Sequence, residues 1–297
     1  MPENWGGVKG GKGRISKITD LNSYLSHVRS FIPIRKKTKL NIHNELLNRL
    51  VSKGVDLKAV LAICILTDGC LTKDGNSIRI IFYSKDKILA DFAFALLNKL
   101  SSFNPSIFLS AKDTFAVRVS DNNLGKELLQ MSPDYRTYPP EGGSQPTIKF
   151  LENANEQTKK WCIRFAFTTD GCISFNRNKK AELNLACYNK STSEEWQSLL
   201  SEFGIESHLS KSDKSRQGCV GLRIYKYGPI KKFQEMGGFI DGVKISKKSK
   251  KYCGMEKNEL LKTALKETEK RMGMGGFEPP TARLSVVCAT TALHSQN

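Results

Sequence analysis

Two aspartates in this 297-residue chain stand in the same phrase. Asp68 lies in Leu61-Ala62-Ile63-Cys64-Ile65-Leu66-Thr67-Asp68-Gly69-Cys70, and Asp170 in Ile163-Arg164-Phe165-Ala166-Phe167-Thr168-Thr169-Asp170-Gly171-Cys172. Each phrase is an apolar run ending in Thr-Asp-Gly-Cys, and the aspartates are 102 residues apart (170 − 68). A repeat of that length implies two similar halves, with two equivalent carboxylates that would meet at the join. Carboxylates at helix C-termini, which carry partial negative charge themselves, attract hard divalent cations. Mg²⁺ prefers carboxylate and water oxygens together with a substrate phosphate. An Asp-Gly pair after a helix is also an ordinary cap or turn, and it is the matched second copy that favours chemistry.

The elements around the two phrases are predicted to run in parallel. Val55–Leu66 reads as a helix closed by Asp68-Gly69, the glycine suiting a left-handed cap. Two strands follow, Cys70–Lys73 and Ser77–Tyr83, around the turn residues Asp74-Gly75-Asn76. Then come a helix over Ile88–Leu100, strands over Ile107–Ser110 and Phe115–Val119, and a helix over Leu124–Met131. The second half repeats the order: helix Trp161–Thr169, strands Cys172–Asn176 and Glu182–Tyr188, helix Ser193–Phe203, strands Ser207–Lys211 and Val220–Tyr227, helix Pro229–Met236. Ser191 or Thr192 is placed to cap the fourth of these elements. Between the halves, Pro133, Pro139, Pro140, Pro146 and Gly142-Gly143 mark a linker.

Composition narrows the partners. The net charge is +18 and the pI near 9.5, an excess that suits a polyanion, of which nucleic acid is the commonest. No apolar run approaches the roughly 18 residues that span a bilayer, and no partner membrane is expected. Met1 to Lys12 lacks the apolar core of a secretory signal. The eight cysteines include no Cys-x-x-Cys pair, so neither zinc nor a disulfide framework is expected. Unpaired thiols suggest a reducing, intracellular setting, a prokaryotic cytoplasm or an organelle matrix. His27, His43, His208 and His294 lack metal-ligand spacing, and no P-loop, G-x-G-x-x-G or Ser-His-Asp pattern appears.

The two motifs resemble the LAGLIDADG motif of homing endonucleases and RNA maturases, and the helix, two strands, helix, two strands, helix order resembles one half of that family's fold. The likeness spans roughly residues 55–240. It implies an α+β fold: two pseudo-symmetric αββαββα halves, packed through the paired motif helices, with a saddle of antiparallel sheets for DNA. Ala62, Cys64, Thr67, Ala166 and Thr169 are the small residues available for close helix contact. The motif position that is usually Gly is Ile63 in one copy and Phe165 in the other, and Arg164 interrupts the second apolar run.

The resemblance further implies a metal-dependent DNA endonuclease, with Asp68 and Asp170 each binding metal (Mg²⁺ or Mn²⁺) for one DNA strand, helped by Gly69 and Gly171. The family's basic residue on the last strand of each half matches Arg118 and Arg223. Polar or basic residues after the second strand match Lys85 and Lys190. Candidate base readers on the sheets are Arg79, Arg177, Asn184 and Lys226. The diverged halves imply a long asymmetric duplex target and a monomer. Two other activities fit the scaffold: an RNA maturase acting on intron RNA, and a non-catalytic DNA-binding regulator.

The expected organisation is a basic extension over 1–41, a first repeat over 42–131, a linker over 132–160, a second repeat over 161–242, and a basic, disordered tail over 243–297. Residues 275–295 resemble the conceptual translation of a transfer-RNA gene and are expected to be dispensable.

Overall fold

The computed structural model describes residues 40–110, 113–136, 143–175, 181–187, 189–210, 220–246, 249 and 251–275. They form eight α-helices and two four-stranded antiparallel sheets. A preliminary helix, α1 (Leu40–Ser52), leads into the first half: α2 (Leu57–Asp68), β1 (Gly69–Asp74), β2 (Ser77–Ser84), α3 (Lys87–Leu100), β3 (Ser106–Ser110), β4 (Thr114–Ser120) and α4 (Asn122–Met131). The second half follows as α5 (Glu156–Thr169), β5 (Gly171–Phe175), β6 (Ala181–Leu185), α6 (Lys190–Glu202), β7 (His208–Leu209), β8 (Leu222–Ile224) and α7 (Tyr227–Glu235), with α8 (Lys257–Gly275) last. The sheets share one strand order, β1-β2-β4-β3 and β5-β6-β8-β7. Within residues 57–235 the element order and fold class expected from the sequence are those observed, while α1 and α8 are additional.

Side-chain caps set the helix starts. Asp56 accepts from the amides of Lys58 and Ala59 to open α2, and Asn155 accepts from Thr158 to open α5 five residues before the predicted start. Asn189, rather than Ser191 or Thr192, caps α6 by accepting from both their amides. Such a side-chain oxygen satisfies amides that have no partner within the helix.

The two motif helices form the centre. Leu57 and Ala59 to Ile65 of α2 are buried, as are Cys162, Ile163 and Phe165 to Thr168 of α5. One hydrophobic core runs through both halves. Phe165, at the position where a glycine was expected, sends its ring into the first half, 5.7 Å from Phe92 and 6.3 Å from Phe82. Thr67 and Thr169 donate their hydroxyls to carbonyls of their own helices, Ile63 and Cys64 in one case, Phe165 and Ala166 in the other. The helix starts are tied as well: the Asp56 amide donates to Thr158 Oγ1 at 2.9 Å, and Asn155 donates to the Gly54 carbonyl.

Two segments outside the repeats are also packed. The described residues of the linker pack closely: Ser132, Asp134, Tyr135, Ile148 and Leu151 are buried, and the Tyr135 hydroxyl donates to the Leu128 carbonyl. The tail is ordered through residue 275 wherever described, because α8 carries Leu260, Leu261, Ala264 and Leu265 on one face and buries them against α7 and the second sheet. Residues 1–39 and 276–297 lie outside the described residues.

Candidate active site

Asp68 ends α2 and Asp170 caps α5, so both carboxylates sit at the C-terminal ends of the packed pair. The glycine after each aspartate begins a strand. Gly69 is extended, with φ −132°, and not in the left-handed conformation the sequence suggested. What demands glycine is space. A Cβ on Gly69 would lie 2.6 Å from the Ile81 carbonyl, and one on Gly171 would lie 2.4 Å from the Phe167 carbonyl. The strand leaves the helix so tightly that no side chain fits, and that turn points each aspartate at the join.

Two cavities flank the carboxylates and are related by the repeat. One, of about 760 Å³, is lined by Asp68, Lys85 and Asp86 of the first half and by Thr168, Thr169 and Gly171 of the second. The other, of about 60 Å³, is lined by Asp170 and Asn189 of the second half and by Leu66 and Thr67 of the first. The segment after each half closes the cavity. The linker brings Arg136, Pro146 and Ile148 to the smaller one, while Gln145 accepts from Asn189 Nδ2. The C-terminal segment brings Lys244, Ser249, Tyr252 and Lys257 to the larger one, while the Lys244 amide donates to Asp86 Oδ2 at 3.3 Å. Asp86 and Asn189 are the equivalent caps of α3 and α6.

Burial pushes both carboxyls above the ordinary carboxylate range. For Asp170 the shift is large, and the neighbouring charge of Asp68 adds to it. Lys257 works against both shifts. Its ammonium donates to the carbonyls of Thr168 (2.5 Å) and Gly171 (3.0 Å), and burial lowers its own pKa. Lys257 was not singled out in the sequence. The visible signal was Leu260, Leu261, Ala264 and Leu265 at helical spacing directly after it.

The donor set suits a hard cation: two carboxylates whose ionised forms are penalised by burial and, for Asp170, by its neighbour's charge. Among the described residues no cluster of three or more His, Cys, Asp or Glu exists, so water and substrate oxygens would have to complete the coordination. The Gly171 carbonyl already accepts one hydrogen bond, from Lys257.

The basic candidates divide. Arg118 and Arg223 occupy equivalent positions: Arg118 pairs with Ile81 of β2 and Ser106 of β3, Arg223 with Asn184 of β6 and His208 of β7. Both are exposed on the sheet face away from the helices, and Arg118 lies over the Phe108 ring. Arg79 and Asn184 share those outer faces, Asn184 donating to Ser174 Oγ. Lys85 lines the Asp68 cavity. Lys190 does not line the Asp170 cavity. It starts α6 and pairs with Glu194 four residues on, as Lys87 starts α3 and pairs with Asp91. The caps therefore make Lys190 the counterpart of Lys87, two positions from the match with Lys85. Lys226 lies beyond β8, at the start of α7, and its ammonium is held by Glu206 at 2.8 Å. Arg177 falls outside the described residues.

Arg164, which interrupts the second motif, is also explained. Its guanidinium donates to the carbonyls of Gly238 and Phe239 and lies over the Trp161 ring.

Residues 158–238, which include Asp170 and the whole second sheet, match the LAGLIDADG-like domain family. The second half is a LAGLIDADG-like domain. The first half, outside that match, repeats its Thr-Asp-Gly-Cys phrase, element order and sheet topology. Similar solved structures include I-DmoI in complex with DNA and Mn, at 18% identity and a TM-score of 0.46, covering 61% of this chain and 95% of that one. The homing endonuclease I-WcaI bound to its DNA recognition sequence is 12% identical, with a TM-score of 0.46, covering 63% and 83%. Full-length DUF199/WhiA from Thermatoga maritima is 14% identical, with a TM-score of 0.44, covering 81% and 72%. No curated protein matches the chain by sequence.

Proposed function

We propose that this protein is a site-specific, divalent-metal-dependent DNA endonuclease of the homing type, acting as a monomer inside a prokaryotic cell or an organelle. The observation that carries this reading is the meeting of Asp68 and Asp170 at the ends of two packed LAGLIDADG helices, between two sheets whose outer faces bear Arg79, Arg118, Asn184 and Arg223. The chain's charge of +18 suits a duplex as partner.

Asp68 and Asp170 would hold Mg²⁺ or Mn²⁺, and the bound cation would supply an acidified water and charge neutralisation at the phosphate. The chain's own residues do the remaining work. Lys85 borders the Asp68 cavity, where its ammonium would stabilise charge developing on the phosphate oxygens. Arg118 and Arg223, equivalent by strand register, would each meet one DNA strand, and Arg79 and Asn184 would read base edges. The halves differ along these faces: Arg79 and Glu182 occupy corresponding positions, as do Ile81 and Asn184. That difference supports an asymmetric target.

The test is cleavage of host-genomic duplex libraries with Mg²⁺ and with EDTA, comparing the parent with Asp68→Asn and Asp170→Asn. The reading expects metal-dependent cutting at one asymmetric site of about two DNA turns, lost or reduced to single-strand nicking in the variants. A folded protein that cuts no duplex but binds intron RNA tightly would replace this reading with that of an RNA maturase.

A further inference from the structure

Lys257 belongs to neither repeat. It starts α8, in a segment whose sequence suggested a loose tail, yet its ammonium reaches the join between the two motif helices. The carbonyls it binds, Thr168 and Gly171, flank Thr169-Asp170, so the side chain clamps the end of α5 that presents the carboxylate. The same side chain lines the cavity containing Asp68. The Phe239 ring lies 5.4 Å from the ammonium and adds a favourable cation–π face.

The position is held firmly. Asn258 accepts from the Phe239 amide and donates to the Phe239 carbonyl, the Lys257 amide donates to Val243, and Leu260 and Leu261 are buried behind it. An ammonium withdrawn from water must be compensated by nearby negative groups, and those that act on it are Cys172 first, then Asp170, Asp68 and Asp86. The equivalent cavity beside Asp170 has a cation too, but the Arg136 guanidinium there is taken up by Asp134 at 2.6–3.0 Å. Lys257 instead meets neutral carbonyls.

We propose that Lys257 is the built-in counter-cation of the Asp68–Asp170 pair, a positioning residue that holds the two carboxylates together until a divalent cation takes over their charge. Only the second clause rests on the nuclease reading. The first concerns the protein alone. A lysine serving merely as a tether for two carbonyls could be replaced by glutamine, which retains the donors without the charge. A counter-cation could be replaced only by arginine.

The experiment is a set of thermal melts of the full chain in EDTA at pH 7.5: parent, Lys257→Gln, Lys257→Met, Lys257→Arg, Asp170→Asn, and the double variants combining Asp170→Asn with Lys257→Gln or Lys257→Met. The expected result is a lower Tm for the Gln and Met variants and a Tm near that of the parent for Arg. Asp170→Asn should raise the Tm of Lys257→Gln by about 2–10 °C more than it raises that of the parent, a coupling that a purely structural lysine would not produce. Equal shifts in the two backgrounds, or a Lys257→Gln protein that melts like the parent, would overturn the proposal. Millimolar Ca²⁺ should then raise the Tm of Lys257→Gln more than that of the parent. Ca²⁺ that moves neither protein counts against the cation-site reading, whereas the EDTA melts alone decide the Lys257–Asp170 coupling.

Discussion

Replacing Phe165 with alanine probes whether the two halves are one folding unit. Phe165 belongs to the second half but is fully buried among residues of the first, stacked on Phe92 at 5.7 Å and tilted against Phe82 at 6.3 Å. Truncating a buried phenylalanine costs about 3–5 kcal/mol, through lost transfer energy and the cavity left behind. The two aromatic contacts place this site toward the upper end of that range. For chains of this size each kcal/mol lowers Tm by about 2–4 °C, so the variant should melt about 6–20 °C below the parent. Urea denaturation followed by both circular dichroism and tryptophan fluorescence gives the free energy directly. Coincident curves in the parent would report one cooperative unit. Because the motif helices meet at this ring, the variant should also separate the two probes, one half unfolding before the other. A loss below about 1 kcal/mol, or a parent that already unfolds in two steps, would refute the shared core.

Gly171→Ala should destabilise the fold by about 1–3 kcal/mol, because its Cβ would sit 2.4 Å from the Phe167 carbonyl; a denaturation curve unchanged from the parent would contradict the close approach. The carboxyls of Asp68 and Asp170 have folded-state pKa values above their ordinary ones, so in EDTA they favour the folded state at acid pH and cost stability as pH rises through those raised values. Asp170→Asn should therefore melt above the parent at pH 8 and level with it near pH 4, and the opposite trend in calorimetry would reverse the assignment. If the nuclease reading holds, Lys85→Ala should slow single-turnover cleavage by about 10²-fold, while Lys190→Ala, whose ammonium is turned to Glu194, should leave it unchanged. Arg223→Ala should weaken DNA binding and reduce the slope of log affinity against log salt by about one, as measured by fluorescence anisotropy across a salt series.

The features legible in the sequence are those encoded locally. The Thr-Asp-Gly-Cys repeat marked both carboxylates, and Arg118 and Arg223, suggested by the resemblance, occupy equivalent positions because the register in each half is counted from the same aspartate-glycine corner. The match of Lys85 with Lys190 fails because the helix caps Asp86 and Asn189 set the frame there, and lysines on either side of a cap are easily exchanged. The role of the glycines was misassigned for a similar reason. Asp-Gly after a helix suggests a left-handed cap, but here the constraint is the closeness of strand to helix. Lys257 was beyond local reading, since it reaches the site only after α8 has packed on the second half.

The order in which the chain is made gives the C-terminal segment another consequence. At a synthesis rate of about 5–20 residues per second, the ~95 residues between Asp170 and the buried Leu265 take roughly 5–20 s to appear. Over that interval both motif helices are already made, and their carboxylates meet before Lys257 arrives. A segment made well after both motif helices thus completes their pairing. A ribosome stalled shortly after α7 would hold a product with both repeats and two buried carboxyls that lack the Lys257 ammonium beside them.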